Sequence, residues 1–350
     1  MDPVATRIDA DALTGILQRA GILHAGRVRE VGVLEARDTV LSSIVRLRVG
    51  YDGEADGAPA SLVLKTQLPE RLQAGWDGGR QEVAFYREVA PATPPGLLPR
   101  CFDAAGEGDG QPWHLLLEDL TDTHAIATTW PLPPTEGQCQ RIVRTLARFH
   151  AAWWDHARLG VSAGRWATPA DLEGMLSSFE ERFASFLERT GDLVTPERRR
   201  LYERLIDAGP RLHARYATHR HMTIVHGDAH VWNCFLPAGE GGGRLFDWDA
   251  WRVDTGADDL AYMIAMHWYP ERRRLLEHRL LDAYHDTLLA HGVAGYGRSA
   301  LDDDYRLSVL WLILRPVWQA GFDVPPRIWW NNYERILLAV DDLGCRELLG

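Results

Sequence analysis

The sequence predicts an α+β chain in two lobes, a small antiparallel β-sheet with a helix over residues 1–120 and a mainly helical lobe over 121–350. Three observations predict it. Short runs that alternate apolar and polar residues, such as Ser43-Ile-Val-Arg-Leu-Arg-Val-Gly-Tyr51, crowd the first third of the chain. From Pro131 onward the apolar residues recur at helical spacing instead, as Ile142, Val143, Leu146, Phe149 and Trp153 do. At 350 residues with 46% hydrophobic and 25% charged content, the chain is long for one core and has the composition of an ordered globular protein.

In the first lobe, residues 4–23 carry Ile8, Leu13, Ile16, Leu17 and Ile22 at helical intervals, and Val28–Leu34 and Ser43–Tyr51 read as strands. Between these strands lies Glu35–Ser42, a loop without glycine. After the polar tip Asp52–Pro59, Ser61-Leu-Val-Leu-Lys65-Thr reads as a buried strand and Gly78–Val89 as a helix with Val83, Tyr86 and Val89 on one face. Turns at 94–99 and 104–110 bracket a strand at Arg100–Asp103, and Trp113-His-Leu-Leu-Leu-Glu118-Asp119-Leu120 closes the sheet. That makes five strands.

The second lobe reads as helices at 135–156, with Thr135 as N-cap, then 169–189, 195–217, 257–264, 271–291, 300–321 and 327–348. A polar hairpin interrupts them. Ile224-Val225 and Cys234-Phe-Leu236 read as short strands around His226-Gly-Asp228-Ala-His230-Val-Trp-Asn233, and Leu245-Phe246 delivers Asp247 from a third. Asp228, Asn233 and Asp247 are thereby expected at the ends of adjacent strands. Their chemistry matches phosphoryl transfer: one carboxylate to accept a hydroxyl proton, and an amide and a second carboxylate as hard oxygen ligands for Mg2+.

Composition limits the alternatives. A formal net charge of -11 disfavours non-specific nucleic-acid or acidic-membrane partners. No apolar run has the length of a signal peptide or a membrane span, and the four cysteines form no Cys-x-x-Cys pair, so a cytoplasmic protein with reduced thiols is expected. Of the 38 Lys and Arg residues, 37 are Arg and one, Lys65, is Lys. A compact ammonium is the usual partner of phosphate oxygens, so this one position carries a functional reading.

His226-x-Asp228, four residues, Asn233, and then Asp247-Trp-Asp249 together resemble the motifs of the aminoglycoside and choline kinase-like phosphotransferases, which share the protein-kinase-like fold. The resemblance implies ATP or GTP as phosphate donor, Mg2+ as cofactor and a small-molecule hydroxyl as acceptor. It implies Asp228 as catalytic base, Asn233 and Asp247 as metal ligands, Lys65 on the nucleotide phosphates and Glu82 orienting Lys65. Ser42 and Ser43, with Thr39, fall where the family contacts phosphate, and main-chain groups near Glu118 and Leu120 fall at the adenine-binding hinge. Asp259, in Asp259-Leu-Ala, falls where a carboxylate braces the catalytic loop, and His226 reads as a scaffold residue of that loop. Acceptors in the family include aminoglycosides and macrolides, but also choline, sugars, homoserine and steroid alcohols.

The excess of acids fits a cationic acceptor, with Asp302–Asp304 and Asp341-Asp342 as contributors, and Trp232, Trp248, Trp251, Trp268 and Tyr269 are candidates for its pocket. Core packing is the plainer fate of those aromatics. A monomer or a homodimer is expected. Two other function classes compete. His226, Asp228 and His230 could form a zinc hydrolase cluster with His150, His221 or His267, and a pseudokinase binding module would keep the fold without turnover. The lone strand lysine and its glutamate favour the kinase.

Overall fold

The computed structural model describes residues 8–39, 41–68, 78–106, 113–322 and 324–350. Residues 4–7 of the first expected helix and 107–110 of the expected turn lie outside them. The chain forms two compact units, one of residues 1–126 and 235–250, the other of 127–234 and 251–350.

The first unit is built on a five-stranded antiparallel sheet of order β1-β2-β3-β5-β4, from β1 (Arg27–Asp38), β2 (Ser42–Asp52), β3 (Ser61–Gln67), β4 (Cys101–Ala105) and β5 (His114–Glu118). The alternation in β2 sorts its faces: Val45, Leu47 and Val49 are buried in a cluster with Leu13, Ile16 and Leu17 of helix α1 (Ala10–Arg19). Burial of each such side chain stabilises by roughly 2 kcal/mol. Asp9 caps α1, its carboxylate accepting from the Ala12 N–H at 2.8 Å. Helix α2 (Gly78–Glu88) follows β3 and buries Glu82, Val83, Phe85 and Tyr86. Glycine is required at position 79, where an added Cβ would lie 2.0 Å from the Trp113 ring.

The loop expected at Glu35–Ser42 is shorter than the sequence suggested. Glu35–Asp38 pair with Ser43–Arg46, so β1 runs on to Asp38. Charged residues can continue an exposed strand where the ladder, not burial, carries the pairing.

The second unit is mainly helical: α3 (Glu136–Trp153), α4 (Pro169–Thr190), α5 (Pro196–His213), α6 (Ala257–Ile264), α7 (Pro270–Ala290), α8 (Arg298–Trp311), α9 (Leu314–Gly321) and α10 (Pro326–Asp342). A capping box closes the start of α3, with Thr135 and Gln138 satisfying each other's backbone N–H groups. The single helix expected over 300–321 is two, because Pro316 has no N–H to donate and sits comfortably only in the first turn of a helix. No helix of the described residues is long and apolar enough to cross a membrane.

The polar hairpin is wired differently from expectation. Strand β7 (Thr223–Val225) pairs with β10 (Arg252–Asp254), whereas β8 (Cys234–Pro237) joins a three-stranded sheet with β6 (His124–Ile126) and β9 (Arg244–Leu245). The strands around Asp228 and Asn233 are therefore not neighbours. A 3-10 turn at Val231–Asn233 redirects the chain, which a reading of short apolar runs does not register.

Candidate active site

The residues singled out in the sequence fall into two sets, one on each unit. On the first unit, β3 holds Lys65 with its side chain 11% exposed, and the ammonium lies 2.6 Å from Glu82 and 2.5 Å from Asp247. Burial alone would lower the Lys65 pKa, but the two carboxylates overcome it and push it above its ordinary value. The ammonium is a permanent charge. Glu82 is driven up by burial against the opposing pull of Lys65, and the main-chain N–H of Trp248 donates to it. Glu88, the other acid of this helix, is on the exposed face.

Asp247 follows β9 with φ 70, a left-handed conformation that Asp tolerates better than most side chains. Trp248 fixes that turn. It is fully buried, stacks on Phe85 of α2 with ring centroids 4.0 Å apart, and donates from Nε1 to the Leu245 carbonyl. Its expected place in an acceptor pocket is thereby corrected: Trp248 fastens Asp247 to the helix that carries Glu82. Phe235 and Phe246 stack at 4.0 Å on the flanking strands.

The hydroxyls expected on phosphate are used locally. Thr39 Oγ1 accepts from the Ser42 N–H at 3.0 Å and donates to the Ser42 carbonyl at 2.9 Å, and it lies 3.1 Å from Ser42 Oγ. Ser42 and Ser43 are buried members of β2. In the expected hinge, the Glu118 N–H donates to the Arg100 carbonyl and the Leu120 carbonyl accepts from Thr123 and His124. Asp119 between them is held by Arg46 at 2.5 Å, and although burial opposes it the guanidinium keeps its carboxyl down at about 2.

On the second unit, Asp228 follows Gly227 after β7 with its side chain 30% exposed. Neutral donors hold it. Tyr262 donates from its hydroxyl to Oδ1, and Asn233 Nδ2 donates to Oδ2 at 3.2 Å and to the Asp228 carbonyl at 3.0 Å. His230 Nε2 lies 3.5 Å from Oδ2.

Beneath the loop, Asp259 in the first turn of α6 is completely buried and accepts the N–H groups of His226 at 2.7 Å and Gly227 at 2.9 Å. His150 Nε2 donates to the same carboxylate at 3.1 Å, and the Tyr284 hydroxyl donates to His150 Nδ1 at 2.7 Å. Burial would raise the Asp259 pKa, yet these donors hold it below the usual value. Gly256 permits this packing, since a Cβ there would fall 2.1 Å from the Tyr284 hydroxyl. His150, weighed above as a zinc ligand, is a brace for Asp259. His226 is fully buried in the same support.

Tyr262 and Arg315 had escaped the sequence reading. Arg315 donates to the Gly227 carbonyl at 3.1 Å and lies over the Tyr262 ring at 5.5 Å, so both secure the segment Gly227–Asp228. The available signal for Tyr262 was its spacing, three residues beyond Asp259 on one helix. The acid clusters considered for a cationic acceptor are paired with arginines: Asp304 with Arg215, Asp302 with Arg298, Asp342 with Arg273 and Arg274, and Asp341 with Arg346. Trp251 and Trp268 are buried, whereas Trp232 donates to Thr128 at 3.2 Å and Tyr269 to Asn331 at 2.6 Å.

Among the described residues no group of three or more His, Cys, Asp and Glu side chains is placed to hold a metal, which leaves the zinc cluster without support. Mg2+ asks for less, one or two hard oxygens from the protein with substrate phosphates and water supplying the rest. Asp247, with its side chain 39% exposed, and Asn233, whose amide nitrogen is the atom committed to Asp228, each carry an oxygen of that kind.

The sequence model of the ecdysteroid kinase-like family matches residues 36–292. The chain belongs to the ecdysteroid kinase-like family. Solved structures agree on the fold. A proposed aminoglycoside phosphotransferase from Ralstonia eutropha aligns over 98% of both chains at a TM-score of 0.60 and 14% identity. Choline kinase from Cryptosporidium parvum aligns over 97% of both chains at 0.59 and 10% identity. An amicoumacin kinase, solved with AMP-PNP, Ca2+ and Ami, aligns over 94% of this chain and 92% of its own, at 0.51 and 13% identity. Among curated proteins none matches the sequence significantly. This ecdysteroid kinase-like chain thus has the protein-kinase-like α+β architecture of those neighbours.

Proposed function

We propose that the protein transfers the γ-phosphoryl group of ATP or GTP to a hydroxyl of a small molecule. The observation that carries this reading is the Lys65 ammonium held between Glu82 and Asp247, because a buried, permanently charged lysine fixed by two carboxylates is suited to gripping phosphate oxygens.

In the proposed reaction the acceptor oxygen forms a bond to the γ-phosphorus as the bond to the β-phosphate oxygen breaks, and the hydroxyl proton passes to Asp228. Tyr262 and Asn233 keep that carboxylate in one orientation. Lys65 holds the donor phosphates, with Glu82 fixing the ammonium. Asn233 and Asp247 would hold Mg2+, which supplies positive charge against the phosphate oxygens when bound. The rate enhancement comes from positioning and charge neutralisation, without a phosphoenzyme.

The acceptor is a small-molecule alcohol. The family's description supports a steroid-type alcohol, and the amicoumacin kinase and aminoglycoside phosphotransferase neighbours support an antibiotic. ADP release from MgATP, and GDP release from MgGTP, measured over aminoglycosides, steroid alcohols, choline, homoserine and sugars, decides between these classes. Acceptor-dependent release that disappears in Asp228→Ala is the expected result. Failure to bind either nucleotide would overturn the reading.

A further inference from the structure

In the second unit, Asp228 stands beside a group of rings. Tyr262 donates to its carboxylate and His230 lies 3.5 Å from it, and His267 packs on both, with ring centroids 5.4 Å from Tyr262 and 5.8 Å from His230. Trp232 completes the group, 5.5 Å from His230 and 5.7 Å from His267. Burial first, and then His230, push the His267 pKa down to about 4, so this imidazole is uncharged near neutral pH. Two further charges act on it, the carboxylate of Asp228 and the guanidinium of Arg335.

Arg335, on α10, has no matching acid. Among the described residues no carboxylate lies within ion-pair distance of it, and Glu334, its neighbour in sequence, is taken by Arg198. Its support is a neutral phenol: the guanidinium carbon lies 4.6 Å from the centre of the Tyr269 ring, whose hydroxyl is committed to Asn331. Nε is buried without a hydrogen-bond partner, whereas the two terminal nitrogens of this half-buried side chain are not sealed off. Burial lowers the Arg335 pKa, and Tyr269 alone opposes it. In Arg215, Arg252 and Arg298 burial pulls the same way, but bonded carboxylates outweigh it. A guanidinium does not shed its proton, so Arg335 holds a half-buried positive charge that a bound anion would neutralise.

We infer that Arg335 is a specificity-determining residue of the acceptor site, and that the acceptor is a hydroxy acid whose carboxylate meets this guanidinium while its hydroxyl meets Asp228. The inference rests on the proposed transfer to a hydroxyl. A carboxylate matches the planar fork of a guanidinium in both charge and shape. It is the opposite of the cationic acceptor that the net charge of -11 suggested, because a polycation would meet Arg335 as a like charge.

The test is calorimetric titration of lactate, tropate and quinate, a small, an aromatic and a cyclic hydroxy acid, each against its methyl ester, into the full chain with Mg-AMP-PNP. At least one acid is expected to bind roughly ten- to a hundredfold more tightly than its ester. That preference should vanish in Arg335→Gln and return in part in Arg335→Lys, which keeps the charge without the fork. Cooperative thermal melting checks that the variants are folded. Absence of binding by all three acids, equal binding of acid and ester, or a preference that survives in folded Arg335→Gln would overturn the assignment. Loss of Mg-AMP-PNP binding in that folded variant would overturn it too, since the anion on Arg335 would then belong to the nucleotide. Arg335-dependent binding of an acid without ADP release from MgATP would sink the kinase proposal and leave the anion site standing.

Discussion

The two units hold their proposed functional carboxylates and cations in opposite ways. In the first, charge is fixed by charge: Lys65 between Glu82 and Asp247, and Arg46 on Asp119. In the second, Asp228 is held by a phenol and an amide, and the charged brace Asp259 is set one layer deeper, on the loop's backbone N–H groups. The difference follows from the tasks proposed for them. A phosphate grip must keep its charge throughout, and ion pairing locks Lys65 as an ammonium. A base must be oriented without being neutralised, which neutral donors achieve and a guanidinium salt bridge would not.

The largest effect should come from removing the base. Asp228→Ala is expected to lower acceptor-dependent ADP release by about 10²–10⁴-fold while leaving MgATP binding intact, the ranges expected when a general base is lost. If nucleotide affinity fell in parallel, the division of labour between the units would be broken. Next, Lys65→Met should reduce turnover by roughly 10²–10³-fold and also weaken nucleotide binding, as the loss of a charged phosphate contact requires. Equilibrium titration with a fluorescent nucleotide separates this from the Asp228 variant.

Tyr262→Phe sharpens the comparison, because it deletes one neutral bond to the base and retains the ring beneath Arg315. A fall in kcat of about tenfold, with unchanged nucleotide affinity, is expected from one hydrogen bond to a charged group. An unaltered kcat would reduce Tyr262 to packing.

The smallest effect concerns pH. His267, whose Nδ1 bonds to the Tyr262 carbonyl, is pushed down to about 4, mainly by burial and then by the neighbouring His230. Its unfolded imidazole binds a proton near pH 6.5 while the folded one stays neutral, so its contribution costs stability as pH falls from about 6.5 to 4. Denaturant melts of wild type and His267→Gln over that window should differ in slope, by on the order of 1–2 kcal/mol at the acid end since the imidazole keeps some contact with water. Parallel pH profiles would show that His267 titrates alike in both states.

Much of the fold was legible because its signals are periodic and local. The five sheet strands, the Lys65 strand followed by the Glu82 helix, and the cap at Thr135 each depend on residues close in sequence. Lys65 stood out by composition, as the one lysine among 38 basic residues. The polar hairpin was less legible. Its loop residues stood out by their chemistry, but the pairing of β7 with β10 depends on a ladder between segments more than 25 residues apart, and a three-residue strand carries too few side chains to announce a partner. Trp248 illustrates the same point, since its sequence neighbourhood suggested a pocket and its contact with Phe85 lies far away along the chain.

What the sequence determined by itself was therefore the set of chemical groups and the order of the elements that carry them, because residue identity and periodicity are local properties. What only the tertiary structure decided was how those groups are held: that Asp247 joins Glu82 on the Lys65 ammonium, that Tyr262 and Asn233 secure Asp228, and that His150, backed by Tyr284, holds Asp259 beneath the loop. Burial and hydrogen-bond geometry depend on which distant segments pack together, and that information exists only once the chain has folded.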